Sequence, residues 1–536
     1  MLPRFKLLIL SLSSAILLSI AWYWHLSILI FFAFLPLLIL EDLLTSKKDP
    51  SKLKLFGYVY LSFLIWNSIV TWWIYFASFG GACMAIIANS LLMSIVFILF
   101  SYIKNKISKI WGTWLLVPIW VAWEHGHTLW DISWSWLNIG NVFAFNHHWI
   151  QWYEYTGASG GTIWALAVNI LIFITLKRNR VTKIMSMPIF KIAISILLPI
   201  LLSYIILLAR KPLKLNKENL TNVIIIQPNI DPYNVKFTLD YQSQFFKTLD
   251  LLKNKITNKT DYLVLPETFI TDNLNESNIN QSIPVKWFRD SLISKFPKLK
   301  IITGGNSYVL YDNQNNITST ARLDNESRKY YDVFNSGFFI DSLQVKVYHK
   351  SKLVPGVERM PFPTLLKPLE SLAINLGGTM GSIGTQEARS VFNDSLNKVC
   401  IAPIICYESI YADYVTEFIR LGANLIFIIT NDGWWQDTPG YIQHLNFARL
   451  RAIENRRQIA RSANTGTSCF IDEFGNIEQA TPWWKEALIS KSMSKNLELT
   501  FFSRYGDLLS YCSVLTSLIL ILYILFIKLK STFFLK

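Results

Sequence analysis

Apolar residues crowd the first 210 positions and return near the C-terminus, while positions 211–506 carry turns, charges and short mixed runs. A bilayer core of about 30 Å takes roughly 20 apolar residues as helix, because a spanning segment must satisfy its backbone polar groups internally. On that rule the pattern predicts eight spans, at about 5–23, 25–40, 55–77, 81–103, 110–123, 159–176, 187–209 and 508–527. The second and fifth are short. The first follows Arg4 and Lys6 and lacks a small-x-small cleavage site, so it reads as a retained helix rather than a signal peptide.

Between the seventh and eighth spans the pattern changes. Strand candidates recur in "NVIIIQPNI", "DYLVLPETFI", "KLKIITGGNSYVLY", "FNSGFFID", "LQVKVYHK", "VCIAPIICYES", "ANLIFIITNDGWW" and "QIARSANTGTSCFID". Most are continuous apolar runs, as expected of strands covered on both faces. Helical stretches at 241–254 and 441–457 separate some of them, which predicts a layered α/β domain. The expected division is 1–210 as a membrane domain, 211–506 as an α/β domain, and 507–536 as a last span with a short tail.

Composition supports the membrane class: 52% hydrophobic, 16% charged, with 20 Trp and 35 Phe. The formal charge of +15 comes without a block of like charge, so no nucleic-acid partner is expected. Basic residues instead mark alternate loops: Lys47, Lys48, Lys52 and Lys54, then Lys104, Lys106 and Lys109, then Lys177, Arg178, Arg180 and Lys183. Basic loops stay cytoplasmic, which puts both termini inside and 211–506 outside. Arg210, Lys211 and Lys214 oppose this, but long translocated domains respond weakly to nearby charge. The aromatic stretch 123–155 reads either as an interfacial belt or as a lipid-facing entrance. Its His125, His127, His147 and His148 have weak metal spacing, and the five cysteines show no zinc or disulfide framework. No metal and no cofactor are expected.

Three strand candidates end on groups of complementary chemistry: "LVLPE" on Glu267, "VKVYHK" on Lys350 and "IAPIIC" on Cys406. Singly, each has a bland reading, since a cysteine in an apolar strand usually fills a core and a charge at a strand end is usually solvated. Together they make a working set. A thiol is a weak nucleophile until a base takes its proton, a carboxylate supplies that base, and an ammonium stabilises thiolate and oxyanion.

The order "LPE", "YHK", "CYE" resembles the Glu-Lys-Cys triad of the nitrilase (carbon-nitrogen hydrolase) superfamily. With seven spans before it and one after, the chain resembles the apolipoprotein N-acyltransferase family over nearly its whole length. That resemblance implies an extracytoplasmic α-β-β-α sandwich. It also implies an acyl chain passing from a phospholipid through a Cys406 thioester to the α-amine of a diacylglyceryl-apolipoprotein. The setting implied is the bacterial cytoplasmic (inner) membrane, with the active site at the outer (periplasmic) face. Glu358, eight residues beyond Lys350 in "YHKSKLVPGVERMPF", matches an auxiliary acid, and Tyr407 and Glu408 follow the nucleophile as in the family. Phe237, Met360, Phe362 and Trp434 are substrate-binding candidates, with "TNDGWW", "QHLNFARLRAIENRR", "RSANTGTS" and "RYGD" as further family-like segments. Two departures stand out: "VPGVE" in place of Val-Pro-Phe-Gly-Glu, and Phe237 where a tryptophan is common. The Gly-rich segment 356–390, including Leu365, is either a lid or a surface loop. Oligomerisation leaves no visible mark, so a monomer is expected. The rival readings are a membrane-tethered amidase or nitrilase using the same triad, and a lipid-binding or transport protein without catalysis.

Overall fold

The computed structural model describes the chain except residues 1–3, 47–50, 109, 183–185, 211, 213–218, 237–239, 313–316, 361, 363–381 and 534–536. It divides into two compact units: 1–75 with 79–210 and 505–536, and 76–78 with 211–504.

In the first unit and among the described residues, seven helices are long and apolar enough to cross a membrane: Arg4–Tyr23, Ser27–Thr45, Lys52–Thr71, Phe79–Ile107, Tyr153–Lys177, Ile189–Ala209 and Leu508–Lys530. The fifth expected span, 110–123, differs. It is a 3-10 turn, Trp111–Leu115, running into an 11-residue helix, Leu116–Gly126. At about 1.5 Å per residue the helix alone rises about 16 Å, short of a span, and the 3-10 turn at about 2.0 Å per residue adds about 10 Å. Its start is pinned by close approach, since a Cβ on Gly112 would sit 3.0 Å from the Lys104 carbonyl oxygen. The aromatic stretch that follows also departs from a simple belt. Trp136, Phe143 and Tyr153 are buried inside this unit, and Tyr153 donates to the Gly140 carbonyl at 2.9 Å. Their rings serve as core. The buried Glu41 is paired with the buried Lys104 and also accepts from Ser101 at 2.8 Å and Asn105 at 3.1 Å, as a charge in an apolar bundle must.

Among its described residues the second unit has fourteen strands: β1 Leu220–Gln227, β2 Tyr262–Val264, β3 Ile270–Asn275, β4 Lys300–Leu310, β5 Arg322–Leu323, β6 Tyr330–Ile340, β7 Val345–His349, β8 Phe392–Asp394, β9 Val399–Ile405, β10 Leu425–Thr430, β11 Ile459–Ala463, β12 Cys469–Ile471, β13 Ile477–Glu478 and β14 Ala487–Ser494. One sheet runs β14-β1-β2-β4-β6-β5, with β3 beside β4 and β7 beside β6. The other runs β13-β12-β11-β10-β9-β8. The β1–β2–β4 and β9–β10–β11 pairings are parallel, and their edges are antiparallel.

The sheets face each other. A Cβ on Gly337 of β6 would lie 3.6 Å from Ile405 and 3.8 Å from Ile429 of the opposite sheet, and the Tyr262 and Phe427 rings meet edge-on at 5.7 Å. Helices cover the outer faces. Tyr241, Phe245 and Leu252 of the helix Tyr241–Leu252 pack with Ile224 and Ile226 of β1, and Ala412–Arg420 and Pro439–Asn455 meet through Thr416 and Asn455 at 3.1 Å. Strands covered on both faces need apolar residues at successive positions, which is why the sequence runs are continuous. The run "DYLVLPETFI" becomes two strands because Pro266 donates no ladder bond and Thr268 turns left-handed, with φ +49°.

Candidate active site

The ends of β2, β7 and β9 bring Glu267, Lys350 and Cys406 into one buried cluster. Lys350 follows β7 directly, and its backbone N–H donates to the Asn335 carbonyl of β6 at 2.8 Å. Its ammonium donates to Glu267 Oε1 at 3.0 Å and to Glu358 Oε1 at 2.8 Å. Asn335 Nδ2 bridges the same two carboxylates, at 2.9 and 3.1 Å. Burial by itself would raise the Glu267 carboxyl, but Lys350, Asn335 and Lys236 outweigh it and hold it below the ordinary range. For Lys350 burial opposes the charge, while Glu267, Glu358 and Cys406 drive its pKa well above the usual lysine value. The resting pair is therefore carboxylate and ammonium.

Cys406 sits where β9 passes into a short 3-10 turn, Cys406–Ile410, and its φ is +49°. A left-handed conformation at a residue with a Cβ is strained and persists only where neighbours impose it. Ser409 Oγ donates to the Cys406 carbonyl at 2.8 Å, and His444 Nε2 lies 3.1 Å from the same oxygen. A carbonyl only accepts, so Nε2 carries the hydrogen. Behind it, His444 Nδ1 meets Asp432 Oδ1 at 3.0 Å, and Arg461 donates to Asp432 Oδ2 at 2.6 Å and to the Thr467 carbonyl at 2.7 Å. Burial works against the charge on Asp432, yet Arg461 and His444 keep its carboxyl well below the usual range. We expect Asp432→Asn, which leaves a buried guanidinium without its counter-charge, to cost about 3 kcal/mol and to lower the thermal unfolding midpoint by several degrees. An unchanged midpoint would sink that role.

Burial pushes the Cys406 thiol well above its ordinary pKa, with Glu267 and Asp432 adding to the rise and Lys350 and Thr430 opposing it. The thiolate is thus not preformed. A base would have to take the proton as sulfur attacks, and Glu267, ionised beside Lys350, is one carboxylate acting on Cys406.

The other expected residues take varied places. Glu358 closes its own loop, accepting from the Val354 N–H at 2.8 Å, and Gly356 at φ +76° supplies the left-handed turn that "VPGVE" needs. Glu408 is fully buried and accepts from Tyr348, Tyr414, Ser351 N–H and Ile405 N–H at 2.6–2.8 Å, tying β9 to the residues around Lys350. Tyr407 is buried with its ring 5.4 Å from that of Tyr411. Met360 N–H donates to Ser382 Oγ at 3.0 Å, and Phe362 is exposed. Trp434 is half-buried, its carbonyl accepting from Tyr233 at 2.6 Å. Phe237, Leu365 and most of the 356–390 segment lie outside the described residues.

Sequence reading passed over Asn335, His444, Arg461 and Lys236. His444 and Arg461 lie inside the segments singled out as family-like, and Asn335 is the polar break in "FNSGFF". Lys236 carried no signal beyond its charge.

The carbon-nitrogen hydrolase family model matches residues 223–498, and the model of the apolipoprotein N-acyltransferase N-terminal domain matches 14–171. The apolipoprotein N-acyltransferase of Chlorobaculum tepidum is 27% identical over 502 residues, covering 91% of this chain and 90% of the relative. That of Geobacter metallireducens is 26% identical, covering 90% and 88%, and that of Rickettsia prowazekii 27%, covering 88% and 89%. Among solved structures, Saccharomyces cerevisiae Nit3 of the nitrilase superfamily aligns with a TM-score of 0.36 at 15% identity, over 55% of this chain and 97% of its own.

Proposed function

We propose, from the premise that this chain belongs to the carbon-nitrogen hydrolase family, that it is an apolipoprotein N-acyltransferase working through a thioester on Cys406. The observation that carries the reading is the joining, in one chain, of the Glu267–Lys350–Cys406 cluster to seven apolar helices of membrane-spanning length. A soluble amide needs no such helices. Two lipid-anchored substrates do, because donor and acceptor both diffuse in the bilayer.

In the first half-reaction the Cys406 proton passes to Glu267 as sulfur attacks the ester carbonyl of a phospholipid acyl chain. Lys350 offsets the negative charge as it moves from carboxylate to sulfur to the carbonyl oxygen. Collapse expels the lysophospholipid alkoxide, which takes the proton back from Glu267 and leaves a thioester. In the second, the α-amine of a diacylglyceryl-cysteine attacks that thioester, gives up a proton to Glu267, and thiolate leaves and is reprotonated. The acyl chain ends as an amide. The left-handed turn at Cys406, clamped by Ser409 and His444, serves to aim Sγ at the incoming carbonyl. The alternation of basic loops supports an outer-face site on a bacterial cytoplasmic membrane.

Incubating the purified full chain with phospholipid tests this. Intact mass should rise by one acyl group, hydroxylamine should remove it, and a diacylglyceryl-cysteinyl peptide should discharge it to an amide. Glu267→Gln should slow adduct formation about a hundredfold or more. Formation at the unaltered rate would exclude Glu267 as the base.

A further inference from the structure

Outside the Glu-Lys-Cys cluster, the chain has a second lysine buried against the same residues. We propose that Lys236 is a second cation of this site, a positioning residue that fixes Glu267 through its main-chain carbonyl and whose charge helps the Cys406 proton move. The inference rests on the acyl-transfer reading above and deepens it.

Lys236 lies in the loop after β1 and is 1% exposed. Its ammonium donates to the Glu267 carbonyl at 3.0 Å and to Thr268 Oγ1 at 2.6 Å. It is 3.2 Å from Asn431 Oδ1 when that amide is oriented with its oxygen toward the lysine. The loop itself is anchored, with Lys236 N–H donating to the Asp231 carbonyl at 2.9 Å and Gln244 Nε2 donating to the Lys236 carbonyl at 2.7 Å. One side chain thus ties the loop after β1 to the turns after β2 and β10.

Two features give this bolt a chemical purpose. First, Thr268 is β-branched and left-handed at φ +49°, a conformation such residues avoid, and it directly follows Glu267. Lys236 holds both the carbonyl before that residue and its hydroxyl, so the strained turn that aims the Glu267 carboxylate depends on it. Second, the three contacts described are to neutral oxygens, while the charge also acts on Glu267 and Cys406. Glu267 and Glu358 bring two negative charges to Lys350. Lys236 supplies the second positive one. In the attack step the proton leaves Sγ and binds a Glu267 oxygen, and the negative charge moves from carboxylate to sulfur without changing in amount. A fixed cation beside both ends keeps Glu267 ionised beforehand and offsets the charge afterwards.

Burial also pushes Lys236 down to about 7, with Glu267 and Cys406 working against that fall. The charged groups bearing on this exchange are Glu267 and Cys406 on Lys236, Lys350 on Glu267, and Lys350 and Asp432 on Cys406. Acylation should therefore weaken as pH rises through about 7.

The test measures acyl-adduct formation by intact mass on the full chain from pH 5.5 to 8.5, for the unaltered protein, Lys236→Met, Lys236→Gln and Lys236→Arg. At pH 6 the two neutral variants should be slower by about tenfold and should show no fall through pH 7. Lys236→Arg should keep most of the rate and lose the fall, because a guanidinium does not titrate there. Gln keeps the donors without the charge, so it decides the matter if Met fails to fold. Neutral variants with the unaltered rate and profile would overturn the inference, as would Lys236→Arg being as slow as Lys236→Met. So would both neutral variants failing to fold while Lys236→Arg folds with an unaltered profile. If the unaltered protein forms no adduct, the reading of the site fails instead.

Discussion

Cys406→Ala and Cys406→Ser should both abolish the acyl adduct and the transfer that follows it, while the protein unfolds at nearly its usual temperature. Alanine keeps the Cβ and the left-handed backbone, which Ser409 and His444 clamp through the main-chain carbonyl, so the turn survives the loss of sulfur. What disappears is the atom that carries the acyl group. Serine tests the matching of base to nucleophile. Glu267 is held below the ordinary carboxyl range by Lys350, Asn335 and Lys236 against its own burial, which makes it a weak base. It can assist a thiol, but a hydroxyl is several pKa units less acidic, and the mismatch suppresses attack. Intact mass after incubation with phospholipid reads both variants. An adduct on Cys406→Ala would place the nucleophile elsewhere.

The second large effect belongs to Lys350→Met, which should cost both activity and stability. Lys350 is 1% exposed and its ammonium bonds to Glu267 and Glu358. Without it, Asn335 is left bridging the buried Glu267 carboxylate and the half-buried Glu358 one, with only the more distant Lys236 charge to offset Glu267. Stranding a buried charge in this way costs about 3–5 kcal/mol. Adduct formation should fall by about a thousandfold, because the cation that offsets the oxyanion is gone and Glu267 tends to hold a proton. The pH dependence supplies the sign. In the unaltered protein the Glu267 pKa is depressed, so its contribution is present above the unfolded-state value and is lost as pH falls through the folded one. In Lys350→Met burial, the largest single influence on that carboxyl, is opposed only by Asn335 and Lys236 and should raise its pKa, so stability should instead fall as pH rises from 5 to 8. Thermal unfolding across that range decides it, and parallel profiles for the two proteins would refute the account. Adding Glu358→Gln should recover part of the stability and none of the activity.

How much of this was legible beforehand depends on what each residue does. The strand ends at Glu267, Lys350 and Cys406 were readable because a polar group closing a continuous apolar run is a local signal. Glu358 was singled out only through the resemblance of "YHKSKLVPGVERMPF" to the family's lysine segment. Lys236 was not, since a lone lysine is ordinarily solvated and nothing nearby announces that Thr268 and the Glu267 carbonyl will enclose it. The fifth predicted span took a different form for a related reason. Residues 110–123 are apolar enough to cross, but the 3-10 turn at Trp111–Leu115 leaves an 11-residue helix. The aromatic stretch after it was read by composition as either a belt or a lipid-facing entrance, whereas Trp136 and Tyr153 turn inward.

The sequence by itself determined which segments are apolar enough to lie in lipid, that layered α/β structure would form between the last two of them, and which thiol, carboxylate and amine stand at strand ends. These follow from composition and period, which act over a few residues. Only the tertiary structure decided that Asn335 bridges two carboxylates, that Asp432, His444 and Arg461 brace the Cys406 turn from behind, and that Lys236 is enclosed beside the base. Each of those depends on groups tens to hundreds of residues apart meeting where water is excluded, and that exclusion makes their charges matter.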